Sequence, residues 1–219
     1  MLDSYRHKGL RKKLVETIRG KGVKDDNVLI AIEKVPRHFF MDSSFLDFAY
    51  EDKAFPIGAG QTISQPYTVA RMTELLQLKK GEKVLEVGTG SGYQACVLSA
   101  MGVKVYTIER QKTLYDKTKL FLPSIGFGTI KQFYGDGYKG LPTFGPFDKI
   151  IVTCGAPFIP DALLEQLKIG GTMVIPVGEG ETQVMQTVTR LTELDKEIRS
   201  YGNFRFVPML EDRNEKLNI

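Results

Sequence analysis

Three glycines alternate in the stretch Leu85-Glu-Val-Gly-Thr-Gly-Ser-Gly-Tyr93, between a short apolar run and a helical segment. Glycine permits positive φ angles and lets backbone N–H groups approach a ligand without a Cβ in the way. The helix N-terminus behind the turn carries a partial positive charge that suits an anionic group. The spacing therefore predicts a ligand-binding turn whose contacts are Gly88, Thr89, Gly90 and Gly92.

Two acidic residues follow later apolar runs, at positions that suit the ribose and the base of a nucleoside. Glu109 lies about 20 residues after the first glycine, where a carboxylate can accept both hydroxyls of a ribose, and Arg110 follows it. Asp136, which precedes Gly137, could accept a hydrogen bond from an adenine amino group. Each acid comes just past a predicted strand, and the carboxyl ends of parallel strands meet at one edge of a sheet. The sequence thus predicts one nucleoside site at this edge.

The spacing of the glycines discriminates between cofactors. The dinucleotide fingerprint G-x-G-x-x-G/A requires a small residue where the chain has Tyr93, which makes a nicotinamide dehydrogenase the weakest reading. The pattern G-x-G-x-G suits a bulkier, less anionic cofactor such as S-adenosylmethionine. Each feature alone has a plain alternative, since the turn can be mere packing, Glu109 a surface acid and Asp136 a turn residue. Their order along the chain favours the cofactor site.

The elements that must position these residues alternate between strands and helices from Lys79 onward. Apolar runs predict buried strands at 83–87, 103–108, 129–133, 148–152 and 172–177, with two further candidates at 184–191 and 203–207. Strands separated by helices predict an α/β fold, doubly wound, with a mostly parallel sheet and helices on both faces.

The first 78 residues predict a helical N-terminal extension. Asp25 can cap a helix that Pro36 closes, and Pro66 opens another with one apolar face. Between these helices lies a Gly-rich loop at 56–66. We expect residues 1–78 to contribute this loop to the site and residues 79–219 to form the cofactor-binding core, with a β-rich end. The two parts should pack as one compact unit.

The composition is that of an ordinary globular protein and narrows the function classes. The chain has 219 residues, of which 42% are hydrophobic and 26% charged, with a net charge of +4. No apolar run reaches the roughly 20 residues that cross a bilayer, and the start lacks a secretory signal. One basic cluster follows a helical pattern, which predicts a solvated helix face rather than a nucleic-acid footprint; it comprises Arg6, His7, Lys8, Arg11, Lys12 and Lys13. We expect neither a nucleic-acid nor a membrane partner.

Cysteine and histidine usage argues against metal chemistry. Cys96 and Cys154 lie far apart, each in an apolar run, and are expected to be buried thiols in the reducing cytosol. The two histidines, His7 and His38, have no Cys or His partner at ligand spacing. No metal site is therefore expected, and His38 is interpreted as a structural residue.

Longer motifs complete the pattern. They are Pro56-Ile-Gly-Ala-Gly-Gln-Thr-Ile-Ser-Gln-Pro66, Glu86-Val-Gly-Thr-Gly-Ser-Gly-Tyr-Gln94, Gly135-Asp-Gly137, Phe147-Asp-Lys-Ile-Ile-Val-Thr153, Ile175-Pro-Val-Gly178 and Phe206-Val-Pro208. Together they resemble the protein-L-isoaspartate O-methyltransferase family over nearly the whole chain. The glycine turn is general to class I methyltransferases, whereas the Gln-Thr-Ile-Ser stretch is specific to this family. The resemblance implies the Rossmann-like methyltransferase fold.

The resemblance implies methyl transfer from S-adenosylmethionine to the free α-carboxylate of L-isoaspartyl residues, with S-adenosylhomocysteine as product. The methyl ester re-forms a succinimide that can reopen to normal Asp, so the implied role is protein repair. Isoaspartyl proteins and peptides, a cytosolic location and a monomeric state are implied as well. The carboxylate, with a pKa near roughly 3.5, is already ionised at pH 7 and needs no general base. This agrees with the lack of a histidine near the glycine turn.

By resemblance, the remaining site residues fall into three groups. Ser64 would orient the reacting carboxylate, although a serine here could instead cap the helix behind Pro66. The further cofactor contacts would be Gly60, Gln61, Thr62 and Gln65. The substrate contacts would be Ile57, Gly58, Phe206, Val207 and Pro208. Two alternatives stay open: Gly58 and Gly60 could be lid hinges or ordinary turn residues, and residues 206–208 could be an edge strand that Pro208 ends.

One departure from the family pattern follows the fourth predicted strand. Many relatives carry Ala-Ala-Ala-Pro there, whereas this chain has Thr153-Cys-Gly-Ala-Pro157. Because Cys154 and Gly155 are small, we expect altered packing near the site rather than lost activity.

Two competing functions belong to other classes. The first is a class I methyltransferase that acts on RNA or on a small-molecule acid, but the chain lacks an Asn-Pro-Pro-Tyr-like motif for base amino groups. The second is a nucleotide-binding module without catalysis, against which the intact Ser64 loop argues. Cofactor binding without turnover would favour the second.

Overall fold

The fold is described by a computed structural model that covers residues 2–214. The α-helices are α1 (Tyr5–Gly20), α2 (Asp26–Lys34), α3 (Pro66–Leu76), α4 (Tyr93–Ala100), α5 (Lys112–Ser124) and α6 (Asp161–Glu165). The strands are β1 (Phe55–Gly58), β2 (Gln61–Ile63), β3 (Lys83–Val87), β4 (Lys104–Glu109), β5 (Lys131–Tyr134), β6 (Phe147–Val152), β7 (Leu167–Val177), β8 (Gln183–Arg190) and β9 (Lys196–Phe204). Short 3₁₀ turns lie at Arg37–Phe40, Ser43–Phe48 and Pro142–Phe144.

Strands β3 to β9 form one sheet in the order β5-β4-β3-β6-β7-β8-β9. The five strands from β5 to β7 in this order run parallel, whereas β7, β8 and β9 form an antiparallel meander. The predicted α/β fold with a mostly parallel sheet is confirmed. The strand order reverses at β3, which has β4 on one side and β6 on the other. Open α/β sheets bind ligands at the carboxyl ends of the strands beside such a reversal.

Successive side chains of a strand point to opposite faces of the sheet, and helices cover both faces, so the central strands are buried on both sides. Val84 and Ile151 belong to one core cluster, to which helices α1 to α5 contribute. Their neighbours Leu85 and Ile150 belong to a second cluster that includes Leu163 of α6. The strands therefore read as continuous apolar runs, and this is why the sequence predicts them well.

The N-terminal helices pack on the first face through the stripe that the sequence predicts. Leu14, Val15 and Ile18 of α1 are buried. Asp25 caps α2, as predicted, by accepting a hydrogen bond from the Asn27 N–H at 2.9 Å. Across residues 2–214, no helix is both long enough and apolar enough to traverse a bilayer.

Arg11 corrects the interpretation of the basic cluster as a wholly solvated face. Its side chain is buried, and its guanidinium donates to both carboxylate oxygens of Asp3 at 3.0 Å and to the Tyr50 hydroxyl at 3.0 Å. These partners are distant in sequence or lie outside the helix, so helical spacing alone could not reveal them.

The C-terminal strands also differ in part from prediction. The candidate strand at 184–191 is confirmed as β8, but the candidate at 203–207 overlaps the end of β9 only at residues 203–204. Most of β9 is exposed, since it is the edge of the sheet. Its charged residues lack the apolar pattern on which strand prediction depends.

Candidate active site

A cleft lies at the carboxyl edge of the sheet, next to the reversal of strand order. We call it the inner cleft. Segments that follow or end four parallel strands line it, namely residues 87–91, residues 108–111, Gly137, and Thr153 with Cys154. Residues 61–64 and 207–210 also line it, as do Val69, Tyr93 and Gln94. The structure thus places the glycine turn, Glu109, Arg110 and Gly137 around one space.

The glycine turn after β3 needs its glycines for two different reasons. Gly88, Gly90 and Gly92 have φ angles of 98°, 54° and 84°, a region that other residues rarely adopt. A Cβ on Gly88 would lie 2.7 Å from the Thr153 hydroxyl, whereas a Cβ on Gly92 would lie 2.7 Å from a methyl of Leu122. Gly88 and Gly90 line the inner cleft, but Gly92 is outside its lining and packs against α5.

Glu109, at the end of β4, holds the glycine turn in place. One carboxylate oxygen accepts from the Gly90 N–H at 2.8 Å and the other from the Gln111 N–H at 2.8 Å. The side chain is buried, and burial raises the pKa of the carboxyl while these N–H groups act to lower it. Arg110 also lines the cleft, but its guanidinium donates to the carbonyls of Glu211 and Asp212.

A second carboxyl, that of Glu86, supports the same turn from inside the sheet. Thr107 donates to Glu86 at 2.5 Å, and the hydroxyls of Thr107 and Thr89 lie 2.6 Å apart. Burial raises the pKa of Glu86 to about 8, so the group is mostly protonated at neutral pH. The turn therefore rests on a neutral carboxyl through two threonines.

Asp136 lies beside the inner cleft but outside its lining. One of its carboxylate oxygens accepts from the Tyr138 N–H at 2.9 Å, and the other lies 3.6 Å from the Lys139 ammonium group. Gly137 does line the cleft, and a Cβ there would lie 2.6 Å from a methyl of Val87. The Asp136 carboxylate thus stabilises the turn at residues 136–138, and it lies next to the inner cleft without lining it.

The predicted Gly-rich loop is a two-stranded hairpin of β1 and β2. Ala59 and Gly60 form its turn with φ angles of 51° and 67°, so Gly60 serves the turn and does not line the inner cleft. Past the hairpin turn, Gln61, Thr62 and Ser64 all line that cleft.

A larger and more open depression, the outer groove, adjoins the inner cleft. Thr62, Ser64, Thr153, Val207 and Pro208 line both spaces. The walls of the outer groove also carry aromatic and charged side chains, among them Lys21, Tyr67, Tyr201, Phe204, Arg205 and Phe206. Ser64 therefore lies where the two spaces meet. Gln65 lines only the outer groove, on the side away from its predicted cofactor contact.

Val207 and Pro208 line both spaces and Phe206 lines the outer groove; the segment that departs from the family pattern holds all three in place. The Gly155 N–H donates to the Val207 carbonyl at 2.8 Å, and the Met209 N–H donates to the Gly155 carbonyl at 2.7 Å. A Cβ on Gly155 would lie 2.8 Å from the Gln183 side chain, which accepts from the Phe206 N–H at 3.0 Å. Glycine at 155 thus allows a packing that holds Phe206.

Ile57 and Gly58 are not brought into either space. Ile57 lies instead in an apolar cavity behind the glycine turn with Phe39, Phe40 and Phe121. Gly58 lies at a small neighbouring depression. Their predicted contact with substrate finds no support in this arrangement.

The thiols and histidines do not enter the chemistry of the inner cleft as nucleophiles or bases. Both cysteines are free; Cys96 is buried as expected, whereas Cys154 is half-buried because it lines the inner cleft. Partial burial still raises the pKa of the Cys154 thiol to about 12. The structure stacks His7 on His38 with ring centroids 3.8 Å apart, beside Asp3. His7 accepts from the Ser4 N–H, and the Tyr50 hydroxyl lies 2.6 Å from His38. The ligand atoms of Asp3, His7 and His38 all lie within 4.8 Å of one another, a grouping that could hold a metal ion and that the sequence spacing of the two histidines did not predict. The cluster lines neither the inner cleft nor the outer groove.

Several lining residues were not predicted from the sequence. Thr153 follows β6, and its hydroxyl lies 2.9 Å from the Val87 carbonyl and 2.7 Å from that of Gly88. Its position at a strand end was the available signal, because ligands bind at that edge. Gln94, Gln111 and Met209 also line the cleft, but their sequence positions carry no comparable signal.

A glycine turn at the reversal of strand order, with a buried acid at the end of the next strand, is typical of class I S-adenosylmethionine-dependent methyltransferases, and the fold is that of this class. The sequence profile of the family described as "Protein-L-isoaspartate(D-aspartate) O-methyltransferase (PCMT)" matches residues 9–214. The chain belongs to this family.

Curated relatives and solved structures agree with this assignment. The protein-L-isoaspartate O-methyltransferases of Flavobacterium psychrophilum and Christiangramia forsetii are 58% and 59% identical to this chain over 214 residues, 98% of this chain and 100% of each relative. A solved protein-L-isoaspartate O-methyltransferase superposes with a TM-score of 0.81 at 29% identity, covering 90% of this chain and 65% of that one. A Plasmodium falciparum protein described in the same terms, solved with S-adenosyl-L-homocysteine, gives 0.78 at 27% identity, covering 92% and 99%.

The activity is therefore the repair methylation of isoaspartyl residues in proteins with S-adenosylmethionine as methyl donor. The competing functions, methylation of RNA or a small acid and ligand binding without catalysis, give way to this assignment.

Proposed function

We propose that S-adenosylmethionine binds in the inner cleft, that the isoaspartyl segment binds in the outer groove, and that Ser64 orients the reacting carboxylate between them. The observation that carries this proposal is that Ser64 lines both spaces at once. A methyl group has to pass from one ligand to the other at such a junction.

The inner cleft suits the cofactor in shape and in hydrogen-bonding groups. Gly88 and Gly90 offer backbone without a Cβ, and the Glu109 carboxylate stands where a ribose would lie. Direct contacts are proposed for Gln61, Thr62, Gly88, Thr89, Gly90, Glu109, Arg110 and Gly137. Supporting roles, through the turns that carry these contacts, are proposed for Gly60, Gln65, Gly92 and Asp136.

In this reaction the protein has to align the reactants and does not have to transfer a proton. The bound cofactor supplies an electrophilic methyl group on a sulfonium. The substrate carboxylate is ionised at neutral pH and attacks without a base, and the Cys154 thiol, which lines the inner cleft, stays protonated. Holding the reactants in line can contribute about 7–11 kcal/mol to lowering the barrier. Residues 207–210 help to exclude water, which favours a reaction in which opposite charges vanish.

The outer groove suits an extended peptide. Its length runs past Tyr67, Tyr201, Phe204 and Phe206, whose rings can cover apolar parts of a peptide chain. Val207 and Pro208 line both spaces and are proposed to contact the substrate backbone near the reacting carboxylate.

We also propose that the enzyme acts in the cytosol as a monomer, without a metal and without a nucleic-acid partner. The free thiols of Cys96 and Cys154 support the location, and an already ionised nucleophile supports metal-free chemistry. The monomeric state rests on the family resemblance. Residues 1–78 and 79–219 are proposed to act as one unit, because side chains from both parts share one core cluster.

Replacing Phe206 with alanine tests the division between the two spaces. Phe206 lines the outer groove and not the inner cleft. We expect the KM for an isoaspartyl peptide to rise about 10-fold, because an apolar contact with the peptide is lost. The Kd for S-adenosylhomocysteine, measured by calorimetry, should stay unchanged.

Phe158→Ala is the matched control, since Phe158 is exposed and outside both spaces. It should leave both constants unchanged. A Phe206→Ala variant with weakened cofactor binding and an unaltered KM would contradict the division.

A further inference from the structure

The carboxylate of Asp52 lies against the start of α3, although it comes from the segment before the hairpin. Its side chain is only 8% exposed. One oxygen accepts from the Tyr67 N–H at 2.7 Å. The other accepts from the Gln65 side-chain amide at 3.0 Å and from the Lys21 ammonium group at 2.5 Å. A single carboxylate thus joins the end of α1, the start of α3 and the residue that follows Ser64.

Asp52 supplies the cap that α3 does not provide for itself. The residue at the N-cap position, Gln65, makes no side-chain cap, and the first turn of a helix needs an acceptor for its N–H groups. Gln65 instead donates to both the carboxylate and the backbone carbonyl of Asp52, at 3.0 and 3.1 Å. This double contact fixes Gln65, and Ser64 is its neighbour in the chain.

Positive charges on two sides keep this carboxylate in place. Lys21 contacts it directly and also lies 5.6 Å from the ring centroid of Tyr67. Arg37 is fully buried and donates to the carbonyl of Lys53, the residue after Asp52, at 3.1 Å. Its guanidinium lies 4.9 Å from the ring centroid of Tyr93, a wall residue of the inner cleft. The segment that carries Asp52 is thereby held from the cofactor side as well.

We propose that Asp52, acting through Gln65, is a positioning residue that sets the Ser64 hydroxyl at the junction of the inner cleft and the outer groove. This role rests on the proposed function of Ser64. Asp52 lines the outer groove but not the inner cleft, so it lies outside the space assigned to the methyl donor. Its effect on kcat is proposed to pass through the segment 64–65.

The variant Asp52→Asn separates positioning from capping. Asparagine is as good a helix cap as aspartate, and its amide oxygen can still accept from the Tyr67 N–H. Its NH₂ group, however, would face two donors, those of Gln65 and Lys21, so the side-chain half of the double contact that fixes Gln65 is lost, while the contact with the Asp52 carbonyl remains. A residue that only caps α3 would tolerate this change.

We expect Asp52→Asn to lower kcat on an isoaspartyl peptide by about 10-fold, since small misplacements of a site residue have effects of this size or larger. The Kd for S-adenosylhomocysteine should not change, because Asp52 lies outside the inner cleft. Gln65→Leu should lower kcat similarly, and the double variant should be no slower than the slower single variant. Such non-additivity is expected if Asp52 acts through Gln65.

Asp25→Asn is the matched control, because the Asp25 carboxylate likewise accepts from the N–H of the second residue of a helix, here Asn27 of α2, and Asp25 lines neither space. It should keep wild-type kcat. Full kcat in Asp52→Asn, or fully additive losses in the double variant, would overturn the positioning role. The same series measures kcat for the wild type and for Ser64→Ala. Wild-type kcat in Ser64→Ala would refute the proposed function of Ser64, and this result is distinct from wild-type kcat in Asp52→Asn, which would refute the positioning role alone.

Discussion

Replacing Ser64 with alanine should lower kcat for methylation of an isoaspartyl peptide by about 100-fold, the effect of losing a well-placed positioning group. The structure argues against the alternative that Ser64 only caps a helix. Helix α3 begins after Gln65, and the Tyr67 N–H in its first turn donates to the Asp52 carboxylate rather than to Ser64. Loss of the hydroxyl should therefore leave the helix intact, and the melting temperature should stay close to that of the wild type.

The Kd for S-adenosylhomocysteine in the Ser64→Ala variant should change by no more than about twofold, the usual size of effects away from a direct contact. Ser124→Ala is the control, since its hydroxyl bonds to the Phe121 carbonyl at the end of α5, outside both spaces. Wild-type kcat in Ser64→Ala would reduce Ser64 to a lining residue without a role in turnover.

Glu109→Gln should weaken cofactor binding about 10- to 100-fold, because hydrogen bonds to a charged acceptor contribute about 1.5–3 kcal/mol. The substitution keeps the size of the side chain but replaces one acceptor oxygen with a donor. That donor would face either the Gly90 or the Gln111 N–H, so the glycine turn is disturbed together with the ribose contact. Titration calorimetry with S-adenosylhomocysteine measures the change.

Asp136→Asn should have a smaller effect on the same Kd, within about 10-fold, as for one hydrogen bond of ordinary strength. Its carboxylate lies outside the lining of the inner cleft and already accepts from the Tyr138 N–H. Glu197→Gln, an exposed change on β9, should have none. An unaltered Kd in Glu109→Gln, or a larger loss in Asp136→Asn than in Glu109→Gln, would contradict the proposed arrangement of the cofactor.

The parts of the fold that the sequence predicts well are those in which local pattern and tertiary burial agree. Strand β3 has the predicted bounds, 83–87, because it is central and nearly all its residues are buried. Strand β9 was largely missed because an exposed edge strand needs no apolar alternation. The burial of Arg11 could not be predicted from helical spacing, since Asp3 and Tyr50 determine it.

The candidate site shows the same division. The glycine turn and Glu109 were predictable because each is a residue type that the chemistry needs, placed at a strand end. The positions of Gln65 and Ile57 were not predictable, because they depend on how the hairpin packs. Gln65 lies in the outer groove, and Ile57 lies behind the glycine turn. Asp52 carried no sequence signal, since a cap from a distant segment has no fixed spacing to its helix.

The most direct test of the central claim is methyl transfer from labelled S-adenosylmethionine to two peptides that differ at one residue, isoaspartyl in one and aspartyl in the other. The site described above predicts a base-labile label, as expected for a methyl ester, on the isoaspartyl peptide alone. Equal label on both peptides, or label on neither while the cofactor still binds, would contradict it.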